Sequence, residues 1–414
     1  MVGVLMFLVI NIIGLFVFLG IAVLFSRNKK HIQWKSIAIL VLINLFLAWF
    51  LMYFPWGKTA VQSLANGISW VIDSAHAGTG FAFASWVKPG AMDMAVSALF
   101  PILLVVPLFV ILMYFNILPK VIGGIGWVLA KVTRQPKFES FFSIEMMFLG
   151  NTEALAVSNE QLKRMKETRV LTVAMMAMSS ISGAIVGAYV SMVPGDLVLT
   201  AIPLNIINAI IVSSILNPVT LEEKEDIIYS IENDEVERQP FFSFLGDSVL
   251  NAGKLILIIV AFVISFVALS DLIDRLINLI TGIVGSWAGI KGSFGLDQIL
   301  GAFMYPFALL LGLPWGEAWI VAQQMAKKIV TNEFVVMGQI KDVVDSYSPH
   351  RRAVITTFLI SFANFSTIGM IVGTLKGIVD KKTSDFVSQY VPMLLLAGIL
   401  VSLMTAGFVG LFAW

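Results

Sequence analysis

Residues Ala326–Met337 read AKKIVTNEFVVM and place charged and amide side chains in the middle of a strongly hydrophobic chain. The polar members that matter here are Lys327, Lys328, Asn332 and Glu333. An ionisable group at membrane depth costs roughly 2.5–3.5 kcal/mol on insertion scales, so it usually faces a cavity or a partner. The stretch therefore predicts a polar pocket inside a membrane protein. The rest of the chain is interpreted as a scaffold that holds this stretch and a second one like it.

The composition is typical of a polytopic membrane protein. Of 414 residues, 58% are hydrophobic and only 13% are charged, whereas a soluble domain carries about 25% charged residues. The net charge of +1 argues against a nucleic-acid-binding surface. The chain has no cysteine, and His31, His76 and His350 lie far apart. We therefore expect no disulfide, no metal site and no cofactor.

Eight apolar stretches are predicted to cross the roughly 30 Å of hydrocarbon in a bilayer. The first has neither a basic region before it nor a small-residue cleavage site, so we interpret it as a spanning helix and not as a removed signal peptide. The predicted spans are Val4–Phe25, Ile37–Tyr53, Ala98–Leu118, Val170–Met192, Leu197–Leu216, Leu255–Ala268 within a longer helix, Ala353–Leu375 and Val391–Phe412.

Basic residues set the predicted orientation. Those after the first and third spans are Arg27, Lys29, Lys30, Lys35, Lys120, Lys131, Arg134 and Lys137. The positive-inside rule makes these loops cytoplasmic and both termini extracellular. Residues 57–93 are predicted to form an external amphipathic helix and loop, 120–138 a basic interfacial helix, and 219–239 a solvated acidic linker. Arg351 and Arg352 fall outside on this count, which we interpret as a local exception.

Two further segments are apolar but interrupted. Phe141–Lys166 reaches a polar tip at Gly150–Ala154 (GNTEA) and then becomes basic. Gly295–Gly338 is broken by Pro306, Gly312 and Pro314 before it reaches Glu333. Arms of this length cannot cross the bilayer, and irregular backbone at depth is tolerated where it lines a cavity. Both segments are therefore predicted to be re-entrant helical hairpins.

An internal repeat links the two hairpins. Ser179–Ala188 (SSISGAIVGA) and Phe365–Thr374 (FSTIGMIVGT) share five of ten residues at an offset of 186. Each copy follows a polar tip, and the charge-based topology makes the hairpins enter from opposite sides, as in transporters built from inverted repeats with broken helices. The resulting division is scaffold helices with the external segment in 1–119, the first repeat in 120–218, an acidic cytoplasmic loop in 219–247, a long scaffold helix in 248–294 and the second repeat in 295–414.

The polar residues of these segments offer hydrogen bonds to a neutral solute. The acceptors and donors are Asn151, Thr152, Glu153, Ser180, Asn332, Glu333, Asn364 and Thr367. Such a set suits a polyhydroxylated or heterocyclic molecule. No arginine clamp for phosphate or carboxylate is apparent, and no P-loop indicates ATP coupling.

Some polar residues of these segments are expected to have structural roles. A lysine at 327 or 328 is expected to pair with a carboxylate such as Glu317 or to extend towards the interface. Glu145 is interpreted as structural. Ser180 and Ser366 are small residues that often serve helix packing.

The chain resembles the concentrative nucleoside transporters. Their signature G/A-x-K-x-x-x-N-E-F-x-A is matched at Lys328, Asn332, Glu333 and Phe334, with Val336 in place of the last alanine. Further matches are Gly150–Ala154 (family GQTEAP), Leu313–Ala318 (family VPWNEA) and Phe362–Asn364. The resemblance covers nearly the whole chain, and the combination of motifs is specific.

The resemblance implies an all-α homotrimer of eight spanning helices and two opposed hairpins, with an elevator-type transport domain in a lipid bilayer. A nucleoside would bind between the hairpin tips and unwound helices. By motif position, Asn151, Thr152 and Glu153 would contact the base, Glu333, Asn364 and Thr367 the ribose, and Ile185 and Phe362 would line the base pocket. We expect Gly150, Asn332, Lys328 and Glu317 to support these residues.

Departures from the family pattern bear on specificity and coupling. Asn151 replaces the usual glutamine and Leu155 the usual proline, and the shorter amide leaves room for a purine. The family's sodium ion is held by an asparagine four residues before the hairpin glycine and by a serine, Ser180 here. The asparagine position is Met146, and a thioether is a poor ligand for a hard cation.

These observations predict a cation-coupled symporter that imports purine nucleosides with protons across a bacterial cytoplasmic membrane. Glu153 and Glu333 are the candidate proton carriers. Sodium coupling with a broad or pyrimidine preference is the main alternative. A passive facilitator would need a continuous polar path, and a membrane-embedded enzyme lacks a nucleophile set or metal ligands in the sequence.

Overall fold

The computed structural model describes residues 2–87, 92–219, 221, 226–228, 240–288 and 295–414, and the regular structure in them is helical. The helices before the first hairpin are α1 (Val2–Leu24), α2 (Trp34–Met52), α3 (Pro55–Ala82), α4 (Ile102–Tyr114) and α5 (Ile117–Thr133). The first repeat continues with α6 (Lys137–Leu149), α7 (Asn151–Val157), α8 (Asn159–Arg164), α9 (Glu167–Ala177), α10 (Gly183–Val190) and α11 (Gly195–Leu216). The remainder is α12 (Phe241–Ala288), α13 (Leu296–Leu310), α14 (Trp315–Val330), α15 (Glu333–Ile340), α16 (Pro349–Leu359), α17 (Phe365–Ile378), α18 (Lys381–Gln389) and α19 (Val391–Gly410).

Six of the eight predicted spans are continuous helical stretches. They are Gly3–Leu24, Trp34–Met52, Ala95–Tyr114, Gly195–Leu216, Phe241–Ile280 and Val391–Gly410. The third span begins with a π-helical turn over Ala95–Leu99 and ends earlier than predicted, because Asn116 takes a positive φ of 57° and turns the chain into α5. The predicted external amphipathic segment is α3, and its residues 88–91 lie outside the described part of the chain.

The fourth and seventh predicted spans are broken in the middle. The fourth consists of α9 and α10 with residues 178–182 between them, and the seventh of α16 and α17 with residues 360–364 between them. The breaks agree with the unwound helices that the family resemblance implied, although the apolar patterns of Val170–Met192 and Ala353–Leu375 did not indicate where they lie. Broken backbone survives at membrane depth because other groups satisfy it: the Asn205 side-chain amide, for example, donates to the Ile360 carbonyl.

The repeat is real, but its predicted register was wrong. Helices α7, α9 and α10 begin at 151, 167 and 183, and α15, α16 and α17 begin at 333, 349 and 365, a constant separation of 182 residues. The sequence alignment at an offset of 186 is therefore displaced by four residues. That displacement equals about one helical turn. The small residues of the two copies therefore still lie on the same helical face in the displaced alignment.

The two hairpins enter from opposite sides. Hairpin 1 consists of α6, α7 and α8. Just before it, the Thr133 carbonyl accepts a hydrogen bond at 2.6 Å from the Ser36 hydroxyl at the start of α2. Hairpin 2 instead starts beside the opposite end of α1, where Gly312 approaches the Phe7 carbonyl so closely that a Cβ would lie 2.5 Å from it. Since α1 crosses the membrane between these places, the hairpins have the inverted arrangement that the sequence predicted.

Hairpin 2 is shorter than predicted. Its arms are α14 and α15, whereas α13 is a separate helix that lies antiparallel to α14, as α5 lies against α6. The ammonium of Lys327 near the end of α14 reaches the carboxylate of Asp297 at the start of α13, at 2.7 Å. Pro314 ends the connecting turn and begins α14, so the Gly295–Gly338 segment contains one hairpin and one additional helix.

The acidic segment after α11 is only partly described. Asp226 is packed against the protein: its carboxylate accepts a hydrogen bond from the backbone of Lys137 at 2.8 Å and lies 4.0 Å from the guanidinium of Arg169. At this residue the prediction of a solvated linker was wrong. The remaining predicted acidic positions, Glu222, Glu223, Glu232, Asp234, Glu235 and Glu237, lie outside the described residues.

Candidate functional site

The tip of hairpin 1 depends on a glycine. Gly150 has φ 98° and ψ 174°, a conformation found essentially only for glycine, and a Cβ there would lie 2.8 Å from the Cβ of Ser182. After this glycine the chain begins α7. The tip is thereby held against the break between α9 and α10, where the Ser182 hydroxyl donates to the Leu149 carbonyl at 3.1 Å.

The side chains that follow Gly150 are oriented by one another. The Asn151 amide donates to the Ala177 carbonyl at the end of α9 at 3.4 Å, and its carbonyl oxygen accepts from the Thr152 backbone at 2.8 Å. The Thr152 hydroxyl donates to the Glu153 carboxylate at 2.8 Å. Asn151 is buried and Glu153 is exposed, so the carboxylate is the more accessible group of this tip.

The tip of hairpin 2 uses an asparagine cap instead of a glycine. Asn332 has extended backbone, and its side-chain oxygen accepts from the Val335 backbone N–H at 3.1 Å, which caps α15. Glu333 is then the first residue of α15 and is only 2% exposed. A carboxylate is stabilised at the N-terminus of a helix, which is one reason why this charge is tolerated at depth.

Each oxygen of Glu333 accepts one hydrogen bond. The Tyr189 hydroxyl, from α10 of the first repeat, donates to Oε1 at 2.8 Å, and the Asn364 amide donates to Oε2 at 3.1 Å. Tyr189 was not predicted as a site residue. A tyrosine in an apolar helix indicates a hydrogen bond, because a buried hydroxyl needs a partner. The sequence does not identify that partner.

Asn364 is itself held in place by three donors. Its side-chain oxygen accepts from the Ser366 hydroxyl at 2.6 Å and from the Thr367 backbone and hydroxyl at 2.9 and 3.0 Å. The amide group of Asn364 is therefore directed towards Glu333. Asn364, Ser366 and Thr367 are all at most 8% exposed.

All eight predicted substrate-binding residues line one cavity between the hairpin tips and the broken helices. They are Asn151, Thr152, Glu153, Ile185, Glu333, Phe362, Asn364 and Thr367. Helices α10, α15 and α17 begin at this cavity, and their N-termini favour acceptor groups there. The predicted support residue Asn332 also lines the cavity.

The opposite wall of the cavity comes from α12 and was missed by the sequence analysis. Leu255, Ile258, Ile259 and Phe262 lie there at spacings that place them on one helical face. Apolar residues in a spanning helix carry no functional signal of their own. Their role became visible only from the packing of α12 beside the hairpin tips.

The predicted support residues have different surroundings. Lys328 is fully buried, and its ammonium donates to the Ser361 hydroxyl at 2.7 Å and lies 5.0 Å from the Phe358 ring centroid. Glu317 lies in the first turn of α14, at the far end from the tip, and accepts from the Ser348 hydroxyl at 3.2 Å. Lys327 pairs with a carboxylate as expected, although the partner is Asp297 and not Glu317.

The two positions at which the resemblance implies sodium ligands, Met146 and Ser180, lie outside the residues that line the cavity. Met146 is fully buried. The Ser180 hydroxyl, in the break after α9, lies 3.5 Å from the Met176 carbonyl near the end of that helix. In the described part of the chain, no group of three His, Cys, Asp or Glu side chains could hold a metal ion.

Comparison with known proteins gives consistent matches along the chain. The model of the Na+ dependent nucleoside transporter C-terminus matches residues 197–410, and that of the N-terminus matches residues 13–86. The purine nucleoside transport protein NupG of Bacillus subtilis (strain 168) is 45% identical over 413 residues, which cover 99% of this chain and 100% of that protein. The nucleoside permease NupC of Helicobacter pylori is 28% identical over 97% of both chains.

Solved structures show the same fold. A variant of CNTnw in an outward-facing state matches with a TM-score of 0.89 at 28% identity over 99% of both chains. CNTnw in an inward-facing substrate-bound state matches with a TM-score of 0.88 at 26% identity over 98% of this chain and 99% of that one.

Proposed function

Because this chain belongs to the concentrative nucleoside transporter family, we propose that it imports purine nucleosides in symport with protons across a bacterial cytoplasmic membrane. The observation that carries the proposal is the single cavity that gathers carboxylates, amides and hydroxyls from both hairpin tips and both broken helices. Its donors and acceptors suit an uncharged solute with a hydroxylated and a heterocyclic part.

The ribose is assigned to the second-repeat side of the cavity. Glu333 keeps two oxygens in fixed directions through Tyr189 and Asn364, and a carboxylate can accept hydrogen bonds from the two hydroxyls of a vicinal diol. Thr367 adds a hydroxyl next to Asn364. Glu333, Asn364 and Thr367 are therefore the proposed ribose ligands.

The base is assigned to the tip of hairpin 1. Asn151, Thr152 and Glu153 supply amide, hydroxyl and carboxylate groups, and Ile185 and Phe362 supply apolar surface for the faces of the ring. A purine is favoured because Asn151 is one methylene shorter than the glutamine of the family pattern. The 45% identical relative is a purine nucleoside transport protein, which supports the same preference.

Uptake competition tests the substrate. Proteoliposomes containing the purified protein should accumulate labelled adenosine or guanosine, and unlabelled purine nucleosides should compete much better than uridine or cytidine. Equal competition by uridine would contradict the purine preference. The absence of any nucleoside uptake under every ion gradient would contradict symport itself.

Proton coupling is proposed in place of the sodium named in the family description. Met146 occupies the position at which the resemblance implies a sodium-binding amide, and a thioether does not replace a hard oxygen ligand. Uptake driven by a pH gradient in sodium-free buffer is the test. A strict requirement for sodium would refute this part of the proposal.

The assembly is proposed to be a trimer that moves its substrate by an elevator motion. The support is the match to CNTnw, whose solved structures include inward-facing, intermediate and outward-facing states. On α12, Leu250, Leu257 and Ile264 recur every seven residues and are each more than 60% exposed, so this stripe can face lipid or another subunit. Extracellular termini remain part of the proposal, and cysteine labelling from outside intact cells would test them.

A further inference from the structure

Another buried carboxyl lies inside hairpin 1, apart from the substrate cavity. Glu145, on α6, is 4% exposed, and its Oε2 accepts a hydrogen bond at 2.9 Å from the hydroxyl of Ser158, which is 7% exposed. Ser158 lies beyond α7 on the returning arm. This contact therefore joins the two arms of the hairpin below its tip.

No cation compensates this carboxyl in the part of the chain that the structure describes, since none lies within 4.0 Å of it. Most charged groups on neighbouring elements have partners of their own. They are Lys131 on α5 over the Trp127 ring, Glu153 on α7 with Thr152, Glu160 on α8 with Lys163, and Arg169 on α9 with Glu139. Tyr189 on α10 is bound to Glu333, and Asp196 is in the first turn of α11.

The partner of Glu145 suits a carboxyl that gains and loses a proton. A buried carboxylate without a counter-ion is strongly disfavoured, and such groups become neutral instead. A serine hydroxyl can donate to the carboxylate and can equally accept from the protonated acid. By contrast, Oε2 of Glu333 accepts from the amide group of Asn364, which can only donate, while Oε1 accepts from the Tyr189 hydroxyl.

We propose that Glu145 binds the coupling proton, an assignment that rests on the proposed proton symport. When the carboxyl is protonated, the hairpin arms stay joined and the tip holds Asn151 and Glu153 in place. Loss of the proton to water leaves a buried charge that draws water between the arms and loosens the tip. Proton binding and nucleoside binding therefore favour each other, and this coupling is reciprocal.

The position of Glu145 fits this role. It lies eight residues after Lys137, where hairpin 1 begins, and five residues before Gly150, or about 12 Å and about 7 Å along the helix axis. The carboxyl is thus between the substrate cavity and the side from which hairpin 1 enters. The positive-inside rule makes that side cytoplasmic, so the proton is released in the direction of import.

Proteoliposomes with wild type, Glu145→Gln and Glu160→Gln test the proposal. Glu160 is an exposed glutamate of the same hairpin region and serves as the matched control. With one proton per nucleoside, wild type and control should accumulate adenosine about tenfold per unit of pH gradient. Glu145→Gln should show no accumulation but should still exchange labelled for unlabelled adenosine. Its adenosine Kd should not change with pH, whereas the wild-type Kd rises at alkaline pH.

The two levels of the proposal fail in different ways. If a pH gradient does not drive wild-type uptake, proton symport is refuted and the role of Glu145 with it. If wild type and Glu145→Gln are driven equally, symport stands and the assignment to Glu145 is refuted. Should Glu145→Gln fail to insert, Glu145→Asp decides, because it keeps a titratable carboxyl: a displaced pH profile of uptake supports the assignment, and an unchanged one overturns it.

Discussion

Replacing Tyr189 by phenylalanine should separate recognition of the ribose from recognition of the base. The substitution removes one hydroxyl and keeps the ring that packs on Phe334, with centroids 5.2 Å apart. The hydroxyl donates at 2.8 Å to a carboxylate that is 2% exposed. A hydrogen bond to a charged group contributes about 1.5–3 kcal/mol, and even the lower value corresponds to roughly a tenfold change in an equilibrium constant.

The expected result of Tyr189→Phe is a loss of adenosine affinity of about tenfold or more. Glu333 then keeps only the Asn364 donor on Oε2. Its Oε1 is no longer held in the orientation that suits a ribose hydroxyl. A 2′,3′-dideoxyadenosine, which has no diol to offer, should lose much less. The assay is competition against labelled adenosine in proteoliposomes, with Tyr53→Phe, a change at an exposed tyrosine, as the control. Equal losses for both nucleosides would refute the reasoning, because they would indicate a general effect of packing.

Three further substitutions test other parts of the site. Gly150→Ala should destabilise the tip by about 1–3 kcal/mol because of its positive φ and lower the unfolding temperature in detergent, whereas Gly246→Ala, at an open helical position, should not. Lys328→Met should remove most uptake and cost about 1–3 kcal/mol of stability, since the buried hydroxyls of Ser361 and Ser402 lose the ammonium that donates to them, while Lys327→Met should cost at most about 1 kcal/mol. Asn151→Gln should lower the ratio of adenosine to uridine uptake, and an unchanged ratio would contradict the assignment of Asn151 to base selectivity.

The sequence located the tips of both hairpins because their chemistry is anomalous in an apolar chain. Glu333 and Glu153 are unusual in apolar segments because a charge at membrane depth is costly. The structure brings both to one cavity. The entry of the two hairpins from opposite sides could also be predicted, because basic loops carry topological information that is independent of packing.

Other features could not be read from the chain alone. The alignment at 186 residues was attractive because glycine and serine recur about one turn apart in both copies, and only helix boundaries distinguish 186 from 182. The partner of Tyr189 is 144 residues away, and the apolar wall of α12 resembles any lipid-facing surface. Contacts of this kind depend on the tertiary arrangement, which leaves no local pattern.

The apolar character of the α12 wall has a mechanical consequence. Leu255, Ile258, Ile259 and Phe262 present carbon surface to the cavity, whereas the hydrogen bonds described at the site join residues of the hairpins and broken helices to one another. Dispersion contacts have no preferred direction and are individually weak, so a body that moves along such a wall has no directed bonds to exchange at each step. Movement along α12 therefore breaks no hydrogen bond to that helix. The polar residues that bind the substrate can move together with the substrate.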